Sequence, residues 1–453
     1  MVTVIAMIIA QTAFADTYYV SLAGGNIPPY TNGWASAATN IQDAITNALT
    51  TTGDTVLVSN GVYQTGGTTN YPAGSLLTNR VVITKAITVR SLNNDPTNTI
   101  IKGVWDPLTT NGPAAVRCVY IKNLAATLIG FTLTNGATVG TDAGEHDDLM
   151  GGGVFAAYGT YQAGGPQIIS NCWITGNSCL GGMGMEGAGG GAAKGTYFNC
   201  RIIGNSTFYY GGGISHSKVV SNCFIAFNTS FNTGGGASQS TLYNCQVISN
   251  YARNYGGGIY NCTMYNSVLA YNVANGSYGS AICYTRLSRN CLIYGNKSGN
   301  GFGTVYLGNG NKMESCTIVG NWNYGIVQRT TGKITNIILN CIIYSNQAVN
   351  WQERDVNSKF MFTNTCTYPV NVGWDASNTT NNPRLVDFGA GYGTDHIAGN
   401  YSLQANSPCV NNGLNQDWMT NAVDLDGRKR IRYGTADMGA YELIYDGTIY
   451  KYH

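Results

Sequence analysis

Between Gly151 and Asn346 apolar and polar positions alternate in short bursts that are broken by Gly and Asn. The recurring phrase is Asn-Cys, one variable residue, an aliphatic, two further residues and Asn. It reads Asn171-Cys172-Trp173-Ile174-Thr175-Gly176-Asn177, then Asn199-Cys200-Arg201-Ile202-Ile203-Gly204-Asn205. It returns at Cys223/Ile225/Asn228, Cys245/Val247/Asn250, Cys291/Ile293/Asn296, Cys316/Ile318/Asn321 and Cys341/Ile343/Asn346, with Ser267/Leu269/Asn272 carrying serine in the cysteine slot. Successive slots are 28, 23, 22, 22, 24, 25 and 25 residues apart. A period in this range marks a solenoid. Leucine-rich units are excluded by the near absence of leucine, whereas short β-branched strands between Gly and Asn turns fit a parallel β-helix. Each repeat is then one coil, and like stacks on like at about 4.8 Å. Alternate strand residues share a face, so Cys and the aliphatic two positions on point inward together. The trailing Asn is expected at a turn, in a left-handed conformation, and in a column of amide–amide bonds. Glycine triplets beginning at Gly151, Gly189, Gly211, Gly234 and Gly256 allow sharp bends and close backbone approach.

The same pattern divides the rest of the chain. Residues 1–15 read as a signal peptide, apolar from Val2 to Ala10 and ending in Ala13-Phe14-Ala15. Residues 16–60 hold a strand at Thr17-Tyr18-Tyr19-Val20, a helix over Thr39 to Leu49 and a first coil at Thr55-Val56-Leu57-Val58. Ile41, Ala44, Ile45 and Ala48 fall on one helix face, and Thr39 with Gln42 makes a capping box. That helix is expected to cover the open end of the coil. Residues 61–350 are the repeats, with Phe131 in an early cysteine slot, and loops project at Thr138 to Met150 and Ala157 to Gln167. Residues 351–381 form a transition, and 382–453 a closing module.

Composition narrows the class. Only 10% of residues are charged, with Gly at 60 and Tyr at 31, which suits a β-rich extracellular protein. The net charge of +2 leaves no electrostatic footprint for nucleic acid. No apolar run after the leader is long enough to span a bilayer. Of the 13 cysteines, seven occupy the repeat slot. Stacked in neighbouring coils they project in parallel, which fits the near-perpendicular disulfide torsion poorly, so they read as a buried column of thiols. No Cys-x-x-Cys pair suggests zinc.

The opening strand, the helix and Gly53-Asp54-Thr55-Val56-Leu57-Val58 with Gly61-Val62-Tyr63 resemble the start of secreted bacterial right-handed β-helix proteins of the pectin-lyase-like superfamily. The repeats resemble those of polymorphic outer membrane proteins in Gly211-Gly212-Gly213-Ile214 and Gly256-Gly257-Gly258-Ile259. Here an aliphatic stands where those proteins carry Phe before the Asn. Asn382-Pro383-Arg384-Leu385-Val386-Asp387, Asp424-Leu425-Asp426-Gly427-Arg428 and Asp437-Met438-Gly439-Ala440-Tyr441-Glu442 look like the terminal module of such surface proteins. The resemblance implies an all-β, single-stranded right-handed parallel β-helix that is secreted or held at the cell surface. It implies function weakly, because this fold hosts lyases, hydrolases and adhesins alike. The Asn-Thr-Asp and Gly-His-Gly motifs of polygalacturonases are absent.

Two functions stay open. The first is a non-catalytic adhesin or scaffold that binds extracellular polysaccharide or surface proteins. The second is a calcium-dependent polysaccharide lyase acting on acidic glycans. Asp142, Glu145, Asp147 and Asp148 put four carboxylates in seven residues, and calcium favours such oxygen ligands. The competing reading of that run is a solvated loop. Lys194 and Arg201 follow, as base and carboxylate clamp. Tyrosines crowd the repeats, either stacked on sugars or packed into the sheets.

Overall fold

The computed structural model describes residues 15–49, 53–139, 146–159, 164–181, 187–276, 278–299, 303–308, 310–328, 335–354, 359–369 and 374–443. Residues 1–14 of the leader, Asp142 and Glu145 lie outside these residues. The chain is a right-handed parallel β-helix with three sheets. Among the described residues sheet 1 has 22 strands, sheet 2 has 12 and sheet 3 has 6. One coil is typical. Gly189–Gly191 leads to Ala192–Ala193, bends at Lys194 and continues as Thr196–Phe198, both stretches lying in sheet 1. Arg201–Ile203 follows in sheet 2 and Ser206–Thr207 in sheet 3. Each strand pairs in parallel with its equivalent one coil away, as in Arg201 opposite Phe224 and Ile202 opposite Ile225.

The cysteine slot forms an inner file. Cys172, Cys200, Cys223, Cys245, Cys291, Cys316 and Cys341 are buried, with Phe131 below them and Ser267 in the gap. Their thiols donate to main-chain carbonyls, Cys172 to Ser170 O at 3.2 Å and Cys245 to Tyr243 O at 3.2 Å, so the file carries no unmet donor at these points. Tyr197 packs inward among them, and burial pushes its phenol well up.

The trailing asparagines stack as expected. Asn177, Asn205, Asn228, Asn250, Asn272, Asn296 and Asn321 each donate their backbone N–H and side-chain Nδ2 to the Oδ1 of the next, at 2.9–3.3 Å. Nδ2 also donates back to a core-strand carbonyl, as from Asn228 to Ile202 O at 2.9 Å. Buried amides are tolerable only when satisfied in this way. Their backbone corrects the expectation. The left-handed positions are the asparagines before the cysteine, such as Asn171, Asn199 and Asn222 at φ 50–54°, and the residues before the trailing Asn, such as Gly176, Gly204 and Phe227 at φ 57–65°. The trailing amide is free to face inward because its neighbour makes the bend. The glycine triplets serve this ladder: a Cβ at Gly213 would lie 2.9 Å from Asn228 Nδ2 and 2.6 Å from Gly236 O.

Helix α1 spans Ile41–Asn47 and buries Ile41, Ala44 and Ile45 over the first coils. Its cap lies one residue later than expected. Asn40 Oδ1 accepts the Asp43 N–H at 2.9 Å, while Gln42 instead clasps the Val82 backbone at 2.8 and 3.2 Å. The tertiary contact outcompetes the capping box. At the far end of the core Trp351, Phe360, Phe362 and Trp374 cluster, with Phe362 5.3 Å from Trp351 and 5.4 Å from Trp374.

Residues beyond Asn382 return along the side of the coil. Leu385, Tyr401, Leu403, Cys409 and Met438 pack on the outer face of sheet 2 against Leu292, Val319, Ile342 and Cys366. Polar clasps fix the register: Gly439 N to Asn340 O at 2.7 Å, Ala440 N to Thr317 Oγ1 at 3.0 Å, and Asn340 with Leu414 at 2.7 and 2.9 Å. Inside this segment Arg430 is fully buried. It pairs with Glu442 at 3.2 Å and donates to Gly439 O and Asp437 O. Asp424 accepts the N–H groups of Asp426, Arg428 and Glu442.

Candidate functional site

The residue immediately after the cysteine slot points outward from sheet 2. Trp173, Arg201, Phe224, Gln246, Val268, Leu292, Thr317, Ile342 and Cys366 therefore form a single outer file across nine paired strands. Its second half lies under the returning segment, and its first half is open. Trp173 is 37% exposed, while Ile342 is 1% exposed. In the open half the Arg201 guanidinium lies between two rings, 5.5 Å from Trp173 and 5.1 Å from Phe224. Such stacking holds a guanidinium by its faces and leaves its in-plane N–H donors for other partners. Arg201 makes no ion pair among the described residues.

From Trp173 to Gln246 is three strand spacings, about 14 Å. Gln246 then forms the lip of a cleft of about 530 Å³ where the returning segment meets the wall. Val268, Leu292 and Tyr294 supply the wall side, and Asn400, Tyr401, Asp426, Arg428 and Tyr441 the opposite side. The aromatic groups are fixed. Tyr294 and Tyr401 lie 5.3 Å apart, and the Tyr401 hydroxyl bonds His396 Nε2 at 2.8 Å and accepts the Gly399 N–H at 3.2 Å. Burial raises the Tyr294 phenol to about 12, and raises Tyr401 and Tyr441 further. Asp426 is the carboxylate of the lining and pairs with Arg428 at 3.2 Å.

Among the described residues, those expected from sequence are not assembled into one centre. Lys194 occupies the left-handed corner of sheet 1, is buried, and donates from Nζ to Tyr158 O at 3.1 Å with the Phe155 ring 5.4 Å away. Arg201 faces outward from sheet 2. Asp148 is buried and accepts from Ser75 Oγ. Its charge acts on the buried Arg117, whose Nη2 donates to Asp147 O at 2.5 Å. Among the described residues no three His, Cys, Asp or Glu side chains group as a metal site. Sequence reading passed over Trp173, Phe224 and Gln246, although their place after the slot cysteine was visible. The cleft partners Tyr401, Asp426, Arg428 and Tyr441 carried no such signal, because their juxtaposition depends on how the final segment folds back.

No protein-family model and no curated protein matches this chain. Among solved structures it is similar in fold to a pectate lyase at 13% identity, covering 95% of this chain and 97% of that one with a TM-score of 0.46. A rhamnogalacturonan lyase aligns at 14% identity over 78% of this chain and 87% of its own, with a TM-score of 0.36. The catalytic domain of an α-1,3-glucanase aligns at 12% identity over 78% and 69%, with a TM-score of 0.37. No helix among the described residues is long and apolar enough to cross a membrane.

Proposed function

We propose that the chain binds an extended acidic polysaccharide on the outer face of sheet 2, from Trp173 to the cleft at Tyr294. The observation that carries this reading is Arg201, held between Trp173 and Phe224 with no carboxylate paired to it among the described residues. Ring faces at Trp173 and Phe224 suit the apolar faces of sugars, and a stacked guanidinium suits a carboxylate or sulfate. Gln246, Asn400 and Arg428 add donors and acceptors for hydroxyls further along.

Binding fits this lining better than turnover. Hydrolysis by two carboxylates needs a pair of them, and Asp426 is the one acid among the lining residues. A lyase needs a base poised near the working pH, and the three tyrosines are held as neutral phenols. The test is affinity electrophoresis in gels containing polygalacturonate, alginate, chondroitin sulfate or a neutral glucan, with ultraviolet detection of unsaturated uronates in parallel. Retardation is expected in at least one acidic gel and not in the glucan. Trp173→Ala and Arg201→Gln should each weaken it about ten-fold, the loss of one good contact. Equal retardation by the glucan, or an unchanged Arg201→Gln, sinks the proposal. Release of unsaturated product would replace the binder with a lyase.

A further inference from the structure

The outer file of sheet 2 ends at Cys366, opposite Ile342 on the neighbouring strand. Cys409 arrives from the returning segment, its carbonyl accepting the Met438 N–H at 3.0 Å and its own N–H bonding Ser407 Oγ at 3.1 Å. Both cysteines are fully buried in the one apolar cluster that joins wall and segment. Two residues before Cys366, Asn364 Nδ2 donates to Asn412 O at 2.9 Å and seats the segment beside the strand end, and the Cys366 thiol donates to Asn381 O at 3.2 Å. No cysteine is bridged in this structure.

This pair differs from the others in contact. Cys172 with Cys200, and Cys291 with Cys316, sit side by side on parallel strands, so their Cα–Cβ bonds project alike and do not favour the near-perpendicular disulfide torsion. Cys366 and Cys409 meet across an interface, one from the strand and one from the segment packed over it. Neither backbone imposes a parallel projection on the other.

We propose that Cys366 and Cys409 are a disulfide site, and that the bond staples residues 382–443 to the wall of the β-helix. The two thiols give up two protons and two electrons as one S–S bond forms. A small-molecule disulfide such as oxidised glutathione accepts them, and its own S–S bond breaks to give two thiols. One cysteine thiolate attacks the small disulfide and expels a thiol, leaving a mixed disulfide. The second cysteine then displaces the remaining half. Because both sulfurs are buried once the segment is seated, the exchange belongs to the moment of docking. The bond closes a loop from 366 to 409 that holds one side of the cleft, and a loop of this length gives a large reduction in the freedom of the undocked segment.

The test uses the full chain, refolded in a mixture of oxidised and reduced glutathione. Free thiols are blocked with N-ethylmaleimide in denaturant at mildly acidic pH, where thiol–disulfide exchange is slow, and the digest is mapped by mass spectrometry. One linked peptide pair, Cys366 with Cys409, is expected, with the slot cysteines alkylated. Reduction should then lower the melting midpoint by several degrees, and the double variant Cys366→Ser, Cys409→Ser should show no such drop. Both cysteines alkylated after oxidative refolding, or either linked elsewhere, overturns the proposal. The map is made on the unsubstituted protein, so a variant that fails to fold does not obscure it. Polysaccharide binding is not part of the readout, and the outcome is independent of the function proposed above.

Discussion

Trp173, Arg201, Phe224 and Gln246 occupy the same file of the same sheet as Leu292, Thr317, Ile342 and Cys366, yet the first set faces solvent and the second faces protein. The backbone is the same in both halves. Strand pairing in sheet 2 is parallel and in register, and the inner neighbours Ile174, Ile202, Ile318 and Ile343 are equally buried. In a β-helix the winding alone dictates what lies inside. What lies on the outer face is dictated by whether something docks there. The change from Trp-Arg-Phe-Gln to Leu-Thr-Ile-Cys records where the returning segment begins to cover the wall.

The sharpest way to break this comparison is to place the same charge in both halves. Ile342→Asp buries a carboxylate in the apolar cluster that holds Leu385 and Met438. We expect a loss of about 4 kcal/mol, with the segment released from the wall before the coils unfold. Phe224→Asp, five strands earlier in the file, should cost about 1 kcal/mol, since its carboxylate faces water beside Arg201. Urea denaturation with limited proteolysis distinguishes them: Ile342→Asp should expose cleavage sites beyond residue 382 at low denaturant. Equal losses at the two sites would mean that the segment is not what buries the second half.

A smaller perturbation uses glycine. Gly439 has φ 93°, and a Cβ there would lie 2.7 Å from Ile342 Cδ1 and 2.8 Å from Thr317 Oγ1. Gly439→Ala combines backbone strain with a clash against the wall and should cost about 3 kcal/mol. Gly204 has φ 65° and open space around it. Gly204→Ala carries the left-handed strain alone and should cost about 1 kcal/mol. Thermal melts of the two variants measure the difference, and a Gly439→Ala as mild as Gly204→Ala would show the contact with Thr317 to be loose.

The inner architecture was legible because it repeats. Cys200, Cys223 and Cys245 announce one file, and Asn205, Asn228 and Asn250 another, since a period can stack only on itself. Where the reading slipped, a non-repeating contact decided. Asn228 stays out of the left-handed region because Phe227 takes the bend, at φ 57°. Gln42 leaves the helix start because the Val82 backbone offers it two bonds. The cleft was the least legible part. Tyr294 comes from a repeat, but Tyr401, Asp426 and Tyr441 reach it through a chain reversal that no local pattern encodes. Lys194 and Arg201 lie close in sequence, and the turn at Asn199 still sends them to different sheets.

Those two cations give a third, smaller contrast. Lys194 is sealed under Tyr158 and the Phe155 ring, and Arg201 is open. Lys194→Met should lower stability by about 1–2 kcal/mol through the lost charge-assisted bond, with polysaccharide affinity unchanged. Arg201→Gln should do the reverse, weakening affinity about ten-fold at unchanged stability. Titration calorimetry beside a melt reads both quantities on each variant. Loss of affinity in Lys194→Met with its stability intact would move the binding face to sheet 1.

Gln246 stands at the boundary between the halves, exposed on the wall and lining the cleft. Gln246→Val extends the apolar half by one strand without extending the segment that covers it. An exposed strand position tolerates Val well, and stability should stay within about 0.5 kcal/mol of the unsubstituted chain. The amide, however, is the polar group between the Arg201 stack and the cleft on the proposed binding path. Losing one neutral hydrogen bond of about 1 kcal/mol should weaken binding roughly five-fold. If affinity is unchanged, the chain does not cross Gln246, and the Trp173–Phe224 stack and the cleft are separate surfaces rather than one path. If Gln246→Asn, shorter by one methylene, restores part of the loss, the contact is made by the amide itself and not by the shape of the wall.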